Sequence, residues 1–228
     1  MSASAHPRHD LYAPPHKGMR WALSHLLLRI GAHDFADTAA TDELLGAVRL
    51  QLQLSAGHLA HEDREIHTAL EARAPGSTAQ LEREHAHHRA SFAELEAILA
   101  EIEAAPEPQR ALLGRKLYLA FSQFVAEDFA HMAEEELVVL PLLHGLFTDE
   151  ELIAMEQRIV AAIPPEKMTA FLQRMIPAMN PQERFGFLEF ARAGAPPEVF
   201  QAVIEQAVRP SLPANDWQVL AGQLGLAA

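Results

Sequence analysis

The segment FAHMAEEELVVLPLL, residues 129–143, places a histidine and a glutamate four apart inside an otherwise apolar helical run. At about 100° per residue, His131 and Glu135 stand one above the other on the face that also carries Leu117, Phe121, Phe124, Met132, Val139 and Leu142. That face is where a core forms, and a carboxylate directed into a core has to be paired or bound to a metal. One His-x-x-x-Glu alone equally describes a solvated i,i+4 contact. HLAHEDREIH, residues 58–67, repeats the spacing with His58 and Glu62, and histidines at His16 and around His85 complete a set of four helices.

The chemistry of that set is metal binding. Neutral imidazole is a good ligand for iron, zinc or copper, and carboxylates bridge pairs of cations. The six or seven inward candidates, His16, His58, Glu62, His85, His88, His131 and Glu135, exceed what one tetrahedral zinc needs, so two metal ions fit better than one. Two carboxylates do not offset two divalent ions. An oxide, hydroxide or water bridge is therefore implied, with a coordination position left open for a small molecule. Sites of this kind form in the core of a helix bundle.

Positioning these side chains takes four long helices. Pro14 and Pro15 set the start of the first, over residues 15–30, with His16 on the face of Met19, Leu23, Leu27 and Ile30 and His25 nearly opposite. The second runs over 41–72, where TDEL supplies a capping threonine and first-turn acids and Pro75-Gly76 the break. Glu62 lies inside its apolar stripe and His58 at the edge, while the pairs His61/Glu65 and His67/Glu71 fall toward solvent. The third, 77–103, has His88 near the centre of its inner face, His85 toward the edge and His87 outside, so His85, His88 or both are ligands. The fourth runs over 109–139 and ends before Pro141. Asp128, one heptad before Glu135, also faces inward, where it either orients a ligand histidine or caps a solvated edge.

Five short amphipathic segments separated by prolines follow from Thr148, with no ligand-like cluster. Residues 147–228 thus read as a helical C-terminal extension that packs on the bundle, on a second copy of the chain or on another protein. Residues 1–14 read as a flexible N-terminus.

Composition narrows the partners. The chain of 228 residues has no cysteine, which removes disulfides and thiolate metal sites. Its formal charge of −13 disfavours nucleic acid and anionic membrane surfaces, which repel an acidic protein. With no run long enough to span a bilayer and no leader-like start, the expected compartment is the cytoplasm. All 13 histidines lie between His6 and His144, which marks a chemical region followed by a structural one.

From His16 to Leu143 the chain resembles the hemerythrin-like (HHE cation-binding) family: a first-helix histidine in HKGMR, the His-x-x-x-Glu of the second helix, a histidine in REHAHHRASFAEL, and HMAEEELVVLPLL in the fourth. The resemblance implies an all-α, up-down four-helix bundle over residues 15–146. It implies terminal nitrogen ligands at His16, His58, His85 and His131, bridging carboxylates at Glu62 and Glu135, and a non-heme diiron centre, with zinc or manganese as alternative occupants. Such a centre binds dioxygen or nitric oxide as a carrier, store or sensor. The alternative is a diiron oxidoreductase that consumes peroxide or nitric oxide, or an iron–sulfur repair-type protein, the last disfavoured by the absence of cysteine. A ferritin-like site is the third reading, since Glu82-x-x-His85 and Asp128-x-x-His131 mimic its spacing, but such sites are poor in histidine. The chain departs from invertebrate-type hemerythrins in spacing its third-helix histidines three apart rather than four, at His85 and His88. It also carries Thr68 in the second helix where the fourth has Pro141.

Overall fold

The structure, a computed structural model, describes residues 8–226. Among these residues there are nine helices and no strand. They are α1 (Ala13–Ala32), α2 (38–73), α3 (Ala79–Ala104), α4 (107–146), α5 (Asp149–Ala162), α6 (Pro165–Ala178), α7 (Pro181–Gly194), α8 (197–211) and α9 (Ala214–Leu224). None is long and apolar enough to cross a membrane. Contacts divide the chain into two compact units: one of residues up to Tyr12 with Ala22–Ile159, the other of Ala13–Trp21 with Val160 onward.

In the first unit, α3 packs along both α4 and α2. Leu23, Leu26 and Ile30 of α1 share one core with Leu44, Leu45, Val48 and Leu52 of α2, Leu95, Ile98 and Leu99 of α3, and Leu117, Phe121 and Phe124 of α4. The cap of α2 is Asp37, whose carboxylate accepts from the Ala40 amide at 3.1 Å. Thr41, expected as the cap, lies one turn inside and bonds back to the Asp37 carbonyl at 2.7 Å. Residues 8–12, expected to be flexible, are anchored. Arg8 donates to the carbonyls of His144 and Phe147 and pairs with Asp149, and Leu11 and Tyr12 are buried; residues 1–7 lie outside the described part.

Two of the long helices change pitch at the acidic residue of their His-x-x-x-Glu motif. Over Glu62–His67 in α2 and Glu135–Val139 in α4 the backbone widens to π-helix. The Glu62 amide is shared between the carbonyls of His58 and Leu59, and the Glu135 amide between those of His131 and Met132. A widened turn leaves a carbonyl short of its i+4 donor, and the two helices answer this differently. In α2 the Thr68 hydroxyl donates to the Asp63 carbonyl five residues back, at 3.0 Å. In α4 the corresponding residue is Pro141, which has no amide to offer and whose ring would crowd the carbonyl four residues earlier in a regular helix. The π turn accommodates it, so α4 continues to Leu146 instead of stopping before Pro141. The same pattern recurs in α8, where Ile204–Val208 is π-helical and Pro210 follows.

The second unit buries Ile176, Leu188, Phe200, Ile204, Val208, Trp217 and Leu220. Asn180 and Glu183 form a reciprocal capping box at the start of α7. Buried Arg184 donates to the carbonyls of Ile176 and Met179, both at 3.0 Å, and so satisfies the open end of α6. The first turns of α1 belong here. Gly18 lies so close to the Met175 backbone that a β-carbon would not fit, and Lys17 pairs with Glu183.

Gly114 in α4 shows how tightly the first unit is closed, since a β-carbon there would lie well inside contact distance of the buried Phe35 ring. Alanine in a helix interior normally gains roughly 0.5–1 kcal/mol over glycine. Here overpacking outweighs that gain, and Gly114→Ala is expected to lower unfolding stability by about 1–3 kcal/mol in a urea titration.

Candidate metal centre

The candidate residues lie in a polar layer between two apolar clusters. On α2 the main core reaches Leu59, and a second cluster begins at Ile66; on α3 the second cluster holds Leu81, and the main core resumes at Phe92; on α4 the break falls between Val125 and Val139. Glu62, His85, His131 and Glu135 all sit in that gap and are all buried. One donor atom from each lies within 4.8 Å of every other. Two donors on one ion, each about 2.1 Å from it, stand at most about 4.2 Å apart. Donors that are not opposite one another stand closer still, about 3.4 Å apart in a tetrahedral site, so the widest pairs have to draw in as a cation is seated.

The hydrogen bonds fix which imidazole nitrogens face inward. His85 Nδ1 is 2.7 Å from Asp63 Oδ1, and His131 Nδ1 is 2.8 Å from Glu84 Oε2. An ionised carboxylate only accepts, so each Nδ1 carries a proton, and in the neutral imidazole Nε2 is then the nitrogen with the lone pair. The two Nε2 atoms are 2.9 Å apart. Glu135 Oε1 is 3.5 Å from His131 Nε2, and Glu62 Oε2 is 3.8 Å from His85 Nε2. Two lone pairs and two carboxylates converging in a buried space repel one another unless a cation or protons lie among them. Carboxylate-to-histidine bonds of this kind orient imidazoles for a metal and raise their basicity.

The ionisation equilibria show the same strain. Burial, then the Glu62 and Asp128 charges, push the Glu135 carboxyl well above the usual carboxylate range. Burial lowers His85 and His67, and together with the neighbouring imidazoles of His131 and His85 it brings His88 down to about 4. His85, His67 and His88 therefore favour the neutral, ligating form at pH 7.

Of the residues expected to act together, the structure converges Glu62, His85, His131 and Glu135. His58 is adjacent, its Nε2 3.1 Å from Glu62 Oε1. His88 lies beside the group without joining it; its ring meets that of His131 edge-on at 4.9 Å, and its Nδ1 has no hydrogen-bond partner. It borders a surface cleft with Glu84, Glu127 and His131. His16 is fully buried near the start of α1. His25 is exposed.

Two expectations need correction. His67, expected on the solvent side, is 4% exposed. A regular helix puts it about 140° from Glu62, but the π turn absorbs one residue and brings it back to within about 40°. Glu65 is likewise half-buried rather than solvated and binds Arg158 at 2.6 Å and Arg64 at 2.9 Å. The orienting acids were also missed. They are Asp63 and Glu84, each next in sequence to a centre residue but reaching the histidine of the following helix. Asp128 is buried as well, and its charge acts on Glu135. No signal in one sequence gives the distance between helices that would have shown this.

These observations define an all-helical protein with a buried histidine–glutamate cluster able to hold metal. No protein-family model matches the chain, and no curated protein is detectably similar to it in sequence.

Proposed function

We propose that this chain is a non-heme diiron protein of hemerythrin-like, up-down four-helix architecture that binds dioxygen or nitric oxide as a carrier, store or sensor. The observation that carries the metal assignment is the 2.9 Å approach of two inward Nε2 atoms beside two buried carboxylates. Glu62 and Glu135 would supply the two negative charges, His85 and His131 the inner nitrogens, and His58 a further one. His16 and His88 enter from their places in the sequence motif, and they bring the donor set to a number that suits two ions. Hard carboxylate oxygens mixed with imidazole favour iron, zinc or manganese over soft-metal chemistry. Two ferrous ions would supply the electrons for reversible binding of a diatomic molecule. The chain's own contribution is to orient the imidazoles through Asp63 and Glu84 and to hold the layer between two apolar clusters that limit water. Residues 147–228 have no comparable cluster among the described residues and are assigned a partner-facing role toward a second copy or another protein.

Aerobic purification from iron-replete cells, a metal count, and visible spectra before and after reduction test this reading. Two irons per chain and a visible band that disappears on reduction and returns with dioxygen or nitric oxide are expected. One zinc and no iron would exclude the diiron assignment.

A further inference from the structure

A buried centre has to be filled from outside, and one group of side chains joins it to the surface. Asp63, His67 and His85 bring a ligand atom each to within 4.8 Å of one another. Asp63 Oδ1 is 3.2 Å from His67 Nδ1 and 2.7 Å from His85 Nδ1, and the His67 and His85 rings stack at 4.7 Å. His67 is nine-tenths buried, yet its Nε2 has no hydrogen-bond partner, and the residue borders a surface cavity together with Asp63, Glu71, Glu82 and Arg89. A buried imidazole with an unused nitrogen costs free energy unless something binds there. The outer oxygen of Asp63 is held by two Arg89 nitrogens at 3.0 and 3.2 Å, and the Arg89 side chain is half-exposed.

Resting on the metal-binding reading, we propose that Asp63 and His67 form a peripheral divalent-cation site through which metal enters the centre. Glu71 and Glu82 give the cavity a negative mouth. Arg89 neutralises Asp63 when no cation is present and swings into solvent when one arrives. From Asp63 and His67 the ion is one ring away from His85, whose Nε2 already faces Glu62 and His131. The oxygen and nitrogen donors suit a hard or borderline divalent ion, with water completing its shell.

Metal-free protein mixed rapidly with Co2+ tests this, by the rate at which cobalt absorption appears and by the final cobalt count. His67→Leu keeps an apolar side chain of similar size in the buried position and is expected to fill roughly tenfold more slowly while reaching the wild-type count. Arg89→Ala uncovers Asp63 without removing a donor from the centre and is expected to fill several-fold faster. The opposite signs separate cation entry from general loosening of α2 and α3, which would move both variants the same way. Equal rates in the three proteins, or slowing in both variants, overturn the entry site while leaving the centre intact. A wild-type protein that takes up no Co2+ overturns the metal-binding reading itself.

Discussion

Glu62→Ala and Glu135→Ala are expected to empty the centre, each cutting metal affinity by roughly 100-fold or more, because removing one partner from a buried charged pair costs about 3–5 kcal/mol. Each carboxylate offsets cation charge in a space where all four converging residues are buried, and water cannot replace it. His16→Ala is expected to lose less, since a water molecule substitutes for a neutral terminal ligand. Glu136→Ala should keep close to the full metal content. Glu65→Ala should keep it too, although that variant loses the ion pairs to Arg158 and Arg64 and with them some stability. Metal content of the five purified variants decides the matter, and equal loss at Glu62 and Glu65 would exclude the assignment.

Removing the metal is the second large perturbation. A cation present at about 1,000 times its Kd stabilises the folded state by about 4.1 kcal/mol. At about 2–4 °C per kcal/mol for a chain of this size, chelation is expected to lower Tm by roughly 8–16 °C. The metal-free protein should then respond to pH in a way that names its residues. Glu135 has a raised carboxyl pKa when folded, so the folded state binds more protons than the unfolded one, and stability falls as pH rises above the unfolded value of 4.5. His88 has a lowered pKa of about 4, so its contribution runs the other way, rising between about 4 and the unfolded value of 6.5. Between these limits the two trends oppose. Above pH 6.5 the histidine contribution is complete and Glu135 acts without that opposition. The urea midpoint of metal-free wild type is therefore expected to fall from pH 6.5 to 8.5, by at most about 1.4 kcal/mol per pH unit in stability. Glu135→Gln, which keeps the shape and removes the charge, should flatten that slope and be more stable than wild type at pH 8.5 without metal. It should also fail to hold metal. A slope unchanged in Glu135→Gln would show that the buried carboxylate does not carry the strain.

The sequence by itself determined the helical class, the two His-x-x-x-Glu motifs and the inward direction of Glu62, His85, His88, His131 and Glu135. Period and chemistry suffice for this: a 3.6-residue repeat defines which face is apolar, and an acid or imidazole on that face stands out as costly. The counting worked as long as the helix was regular. It failed at His67 because a π turn follows Glu62, and a shift of one residue rotates everything downstream. The Pro141 break failed for the same reason, since the widened turn before it removes the clash on which the expected ending relied. Tertiary structure alone decided which acids orient the imidazoles. Asp63 serves His85 and Glu84 serves His131 across neighbouring helices, and spacing along one chain holds no information about the rotation of one helix against the next. It also decided that His85 converges with the carboxylates while His88 stands aside. Three residues on a helix separate two side chains by about 60° around its axis, and only the packing of α3 against α4 selects the nitrogen that points into the layer.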